Sequence, residues 1–309
     1  MTSKPRVLVI YTGGTIGMIN NERGRMAPAP GKLEKFIRSD PHLHNDEYMQ
    51  STFGSIPNSS LIISHAQRNR HIIYKVKEYE QLLDSSNLTT KDWIHMANDI
   101  KNNYEEYDGF VVLHGTDTLD YTASALSFML ENLKKPVVVT GAQIPIFEPR
   151  SDGAENMIQA IIIAGCYDIP EVTVLFGRKL IRGNRTVKIS SERLEAFTSP
   201  NCPPLADFNI FIDGNYQPPN YAITREEFQV FDKLNSNVCL LKFYPAITSE
   251  VISAVLRHPM EGAVIEAYGA GNIPSNQDIT NASPEECYES RCHFGVCYAM
   301  SSRNSHSSL

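Results

Sequence analysis

The chain has 309 residues, 28 Lys and Arg against 35 Asp and Glu for a formal net charge of −7, and 42% hydrophobic content. That length supports a core of ordinary size and about two domains, and the acidic balance argues against a nucleic-acid binder that works through a broad basic face. No apolar run approaches the ~20 residues of a membrane helix, and the run over 7–11 is too short for a signal-peptide core, so the expected address is cytoplasmic.

A rhythm of short apolar strand, Gly/Thr/Asp turn and helix governs most of the chain. A β-branched and aromatic strand over 7–11 is stopped by Thr12-Gly-Gly-Thr-Ile-Gly17. The segment 45–60 reads as a loop insertion. Thr89 or Thr90 can cap a helix over 91–104, with Trp93, Met96 and Ile100 on one face. A second strand over 110–113 runs into His114-Gly-Thr-Asp-Thr118 and a helix-competent run over 119–133. A third over 136–140 is closed by Gly141-Ala-Gln-Ile-Pro145, followed by a helix over 152–165 and a fourth strand over 172–176. Buried-type strands alternating with helices predict an α/β fold with a doubly wound, mostly parallel sheet.

The pairs Pro203-Pro204 and Pro218-Pro219 interrupt this rhythm. It restarts with a strand over 238–243, a helix over 248–257 and a strand over 263–267. The expected organisation is a large N-terminal domain (1–210), a linker (211–235), a smaller, incomplete α/β domain (236–279) and an irregular tail (280–309). The six cysteines include Cys166, Cys202 and Cys239, which read as reduced thiols. Cys287, Cys292 and Cys297 with His293 lack a usual zinc spacing, and neither a metal nor another cofactor is expected.

In an open α/β sheet, ligands gather beyond the carboxyl ends of the strands. Three turns there carry chemistry: Thr12 and Thr15, then Thr116 and Asp117, then Gln143. The first is neither G-x-G-x-x-G nor a P-loop, so a nucleotide role is weakly supported, and a plain tight turn explains it as well. A threonine hydroxyl needs a base and oxyanion donors before it acts as a nucleophile. Lys188, in Arg182-Gly-Asn-Arg-Thr-Val-Lys188, could be such a base if desolvated or an ordinary surface lysine, and Asp117 could face a substrate ammonium.

Tyr11-Thr-Gly-Gly-Thr-Ile-Gly17, Leu83-Asp-Ser-Ser86, Leu113-His-Gly-Thr-Asp-Thr118, Val139-Thr-Gly-Ala-Gln143 and the segment ending in Lys188, in this order, resemble the L-asparaginase family, and most of all its cytoplasmic type I branch. The resemblance implies hydrolysis of L-asparagine to L-aspartate and ammonia, without metal or cofactor. It makes Thr15 the primary nucleophile, Thr116 and Lys188 a proton-relaying pair, and Asp117 the anchor of the α-ammonium. Asp84, Ser85 and Ser86 become the loop that holds the amino-acid head. It further implies a homodimer or homotetramer whose sites are completed by a neighbour near a position like Asn272, and no nucleic-acid or membrane partner.

Three departures stand out. Arg25 occupies the place of a loop tyrosine found in many relatives, Glu266 that of a regulatory arginine in bacterial relatives, and residues after about 280 match nothing in the family. The divergent ending resembles an altered reading frame or alternative terminal exon. It raises a second expectation, a weak or inactive subunit that assembles with full-length copies; a nucleotide-binding α/β protein is the third.

Overall fold

A computed structural model describes residues 4–53, 60–65, 70–208, 212–213, 226–275 and 293–298. The chain forms two units, Met1–Asp232 and Lys233–Leu309.

The first unit is built on strands β1 (Arg6–Gly13), β2 (Leu61–His65), β3 (Arg70–Leu83), β4 (Gly109–Leu113), β5 (Val137–Thr140), β6 (Val172–Phe176), β7 (Lys179–Arg182), β8 (Ala206–Phe208) and β9 (Ile212–Asp213). They make one sheet of order β9-β8-β7-β6-β5-β4-β1-β3-β2. Its centre, β3-β1-β4-β5-β6, is parallel, and antiparallel strands extend both edges. Strand addition therefore reverses between β1 and β4, which opens a crevice at their carboxyl ends.

Alternation of side chains puts successive residues of a strand into different cores. Val7, Val9 and Tyr11 pack on one face with α1 (Lys32–Ser39) and α5 (Gly153–Cys166), through residues such as Leu33, Ile37 and Met157. Leu8, Ile10, Phe110 and Val112 pack on the other with α3 (Thr90–Asn102) and α4 (Leu119–Met129), through Met96, Ile100, Ala123 and Leu126. The doubly wound α/β expectation is met. Thr89 is the cap of α3: the Asp92 carboxylate accepts both its N–H and its hydroxyl at 2.7 Å.

Several local expectations are corrected. The supposed loop 45–60 contains α2 (Asp46–Phe53), where the Asn45 side chain accepts the Tyr48 N–H at 2.9 Å and two acidic residues open the first turn. The fourteen-residue β3 was not expected as a strand; its Lys and Glu residues mask the apolar positions that bury Ile72 and Tyr74. The helix after β4 stops at Met129, because Leu130–Glu131 pairs antiparallel with Gln229–Val230. That pairing also ties the end of the expected linker to the first unit, where Phe228 stacks on Tyr104 at 3.8 Å between ring centroids.

The second unit holds β10 (Val238–Lys242), α6 (Ser249–Leu256), β11 (Gly262–Ala267) and β12 (His293–Tyr298) in a parallel sheet of order β10-β11-β12. Leu241, Phe243, Ile247, Ile252, Leu256 and Ala263 form its core. β12 corrects the expectation of an irregular tail over 280–309. Phe294, Val296 and Tyr298 carry high strand propensity, and the backbone pairs along all of β11. The rest of that tail, with Cys287 and Cys292, lies outside the described residues. Among the described residues no helix is long and apolar enough to cross a membrane.

Candidate active site

The site is assembled from four adjacent strand ends. In sheet order these are β3, which leads into Asp84 and Ser85; β1, which leads into Thr15; β4, which leads into Thr116 and Asp117; and β5, which leads into Gln143. Close approach of the first three turns depends on glycine. Gly14 has φ 85°, and a Cβ there would lie 2.4 Å from Cα of Gly115. A Cβ on Gly115 would in turn lie 2.5 Å from Oγ of Ser85. The Thr118 hydroxyl donates to the Ser85 carbonyl at 2.7 Å, tying the turn after β4 to the turn after β3.

Beneath these turns lies a buried polar chain. Trp93 Nε1 donates to the Thr122 hydroxyl at 2.9 Å, and that oxygen lies 2.9 Å from His114 Nε2. His114 Nδ1 lies 2.7 Å from the Gly115 carbonyl. A carbonyl can only accept, so Nδ1 carries the proton and Thr122 donates to Nε2. Burial lowers the pKa of His114 to about 4 despite the opposing bond to Gly115, and the ring is neutral at pH 7. Under the first turn, burial pushes the Tyr11 phenol well above its usual range, with the charge of Glu78 adding to the effect; its ring stands where a Cβ on Gly17 would be.

Lys188 enters from the antiparallel bridge of Val187–Lys188 with Phe197–Thr198. Its backbone N–H donates to Asp120 Oδ2 on α4 at 3.0 Å. Its ammonium donates to Thr116 Oγ1 at 3.1 Å and to Asp117 Oδ1 at 2.7 Å. The Lys188 side chain is 16% exposed and that of Asp117 64%, so the pair sits at the mouth of the site.

One cavity of about 240 Å³ collects these groups: Thr15, Asp84, Ser85, Thr116, Asp117 and Lys188 line it, together with Gly14, Gly115, Met18, Gln143 and Ser191. Ser86 is exposed on the same turn, where its N–H donates to Asp84 Oδ1 at 3.1 Å, and it is not part of the lining. Arg25 is exposed next to the pairing of Met18–Asn20 with Met26–Pro28, also away from the lining. Sequence reasoning missed Met18 and Ser191, which carry no motif signal and reach the cavity only through folding. Glu266 is on β11, where it accepts a bond from Lys242 at 2.6 Å. Among the described residues no group of three or more His, Cys, Asp or Glu side chains is placed to hold a metal ion.

Comparison with known proteins gives the family of the chain. The L-asparaginase of Dirofilaria immitis is 48% identical over 272 residues, which is 88% of this chain and 46% of that protein. The 60 kDa lysophospholipase of Mus musculus is 43% identical over 279 residues, 90% of this chain and 49% of the relative. The chain thus spans about half the length of these two relatives. The crystal structure of L-asparaginase I from Vibrio cholerae superposes with a TM-score of 0.74 at 38% identity, covering 91% of this chain and 77% of that one. The family model described as asparaginase, N-terminal, matches residues 6–220, and the chain belongs to the asparaginase family.

Proposed function

We propose that the chain hydrolyses the side-chain amide of L-asparagine to give L-aspartate and ammonia. The observation that carries this reading is the single cavity shared by the Thr15 hydroxyl, the Lys188–Thr116 pair and the Asp84, Ser85 and Asp117 groups. At about 240 Å³ it is smaller than the ~300–1,000 Å³ of sites for drug-sized ligands, which suits a small metabolite. Its charged and hydroxyl-bearing lining suits a zwitterion better than an acyl chain, so the name of the mouse relative does not direct the reading.

The substrate ammonium pairs with Asp117, and the hydroxyl and backbone groups of the 84–86 turn hold the carboxylate. Gripping one end places the far amide carbon at Thr15, turning a bimolecular attack into a local one. Thr15 attacks, ammonia leaves, and water then cleaves the acyl-threonine ester. Lys188 and Thr116 relay the protons. Because Lys188 and the substrate ammonium share Asp117, substrate binding loosens the ion pair and leaves Lys188 to Thr116.

Ammonia release from L-asparagine tests the reading. Thr15→Ala should lose at least about 10³-fold in kcat, as removal of a nucleophile does in other acyl-transfer enzymes; full activity in that variant would overturn the mechanism. A homodimer or homotetramer belongs to the same proposal. Tyr121 and Phe128, 64% and 71% exposed on one side of α4, and the exposed Val187 and Ile189 beside Lys188 give an apolar surface next to the site. Light scattering across a concentration series should show the dimer mass or a multiple of it. The cytoplasmic address is part of the proposal and is checked by cell fractionation.

A further inference from the structure

The cavity has two ends, and its chemistry explains only one of them. Asp84 and Ser85 follow β3, whereas Gln143 follows β5, three strand intervals away across β1 and β4. At about 4.8 Å per interval that is roughly 14 Å of sheet edge. In the proposed reading the head is held between the turn after β3 and Asp117 after β4, and Gln143 lines the cavity from the next strand, β5, where no group of the head is assigned.

Gln143 is held at its backbone and used at its side chain. Its N–H donates to both carboxylate oxygens of Asp152, at 3.1 and 3.0 Å, and the Ile144 N–H donates to the same group at 3.0 Å. Asn156 braces that carboxylate at 3.3 Å while donating to the Gly141 carbonyl at 3.0 Å. From this fixed base the Gln143 Nε2 donates to the Arg193 carbonyl at 3.0 Å, fifty residues away. Arg193 belongs to the loop between Val187–Lys188 and Phe197–Thr198, the same loop that brings Ser191 to the cavity. The loop is organised from within, since Ser190 Oγ accepts the N–H groups of Glu192 and Arg193, both at 3.1 Å. A carbonyl partner requires a donor, which the Gln143 amide supplies and a carboxylate or thioether would not.

We infer that Gln143 is a specificity-determining residue: by latching the 189–196 loop to the end of β5 it sets the depth of the cavity opposite the head-binding turn, so that a carboxamide on one methylene fits and one on two methylenes is rejected. The inference rests on the amidohydrolase reading for the placement of the head. A single methylene in a shaped pocket is worth roughly 10- to 200-fold in kcat/KM, and that sets the scale of the effect.

The test compares kcat/KM for L-asparagine and L-glutamine in the parent chain, Gln143→Ala and Gln143→Met. The methionine variant keeps the volume and removes only the donor. The expected result is an asparagine-to-glutamine ratio that falls at least tenfold in both variants, with melting temperatures close to the parent's. A ratio within twofold of the parent's in both variants overturns the inference. The proposed function fails separately, when the parent releases no ammonia from asparagine. In that case the latch is judged by thermal shifts with L-aspartate and L-glutamate: loss of aspartate preference in both variants supports it, and unchanged preference overturns it.

Discussion

The two sheets of this protein place their side chains under different rules. In the larger one, the adjacent residues Val9 and Ile10 are both fully buried, one in each of two cores. In the smaller one, Leu241 is 5% exposed while its neighbour Leu240 is 65% exposed. A strand covered on both faces reads as a continuous apolar run, and one covered on a single face loses half its side chains to solvent. The difference matters for function because a crevice at strand ends needs a frame that cannot shift by an ångström. In the first unit β1, β4 and β5, three of the four strands that carry a site turn, are buried on both faces.

The largest test of that contrast removes an anchor of the larger sheet. Phe110 is fully buried on β4, with Tyr104 and Tyr107 nearby at ring-centroid distances of 6.1 and 6.4 Å. Phe110→Ala should cost about 3–5 kcal/mol, read as a lower denaturant midpoint at unchanged slope. Amide protection of β4 should fall with it, whereas protection of β10 should hardly change. Equal loss in both strands would mean that the units do not respond separately.

Acid gives the next effect, again confined to the larger sheet. The unfolded chain binds a proton at His114 near pH 6.5, and the folded chain only near pH 4. The unfolded state therefore gains stability as pH falls through that window, and folding loses about 3 kcal/mol in all. His114→Gln keeps a donor and an acceptor for Gly115 and Thr122 but cannot titrate. Its stability should stay flatter than the parent's between pH 6.5 and 4.5, measured by urea titration at each pH. Parallel curves would remove His114 as the source of the slope.

These contrasts also explain what could be read before the structure was known. The turns after β1, β4 and β5 were legible because Thr12 to Gly17, His114 to Thr118 and Gly141 to Pro145 each interrupt an apolar run with residues that only a strand-end turn needs. The central parallel strands were legible for the same reason, being apolar throughout. β3 was not: Lys75, Lys77, Glu78 and Glu80 follow its buried Ile72 and Tyr74, so neither a period of two nor a continuous run emerges along its length. Ser191 was not legible either, since a serine in a polar loop has no pattern of its own and reaches the cavity from the loop between Lys188 and Phe197. β12 escaped because its three strand-favouring residues, Phe294, Val296 and Tyr298, stand in an isolated six-residue segment, and pairing with β11 supplies the rest.

The smallest expected effect is at Leu240, and it sharpens the comparison most finely because its control is the next residue. Both are leucines on β10, and both stand in register with β11. Only the face differs. Leu241→Ala should cost about 2–5 kcal/mol, as a truncation in a packed core does, while Leu240→Thr removes apolar surface that water already reaches and supplies a good strand former. Its change should stay within about 0.5 kcal/mol, and its solubility should rise as an exposed apolar group leaves the surface. A cost above about 2 kcal/mol at Leu240 would show that this face of the smaller sheet is buried in the working protein, and the one-sided account of that sheet would then have to be replaced by a covered one.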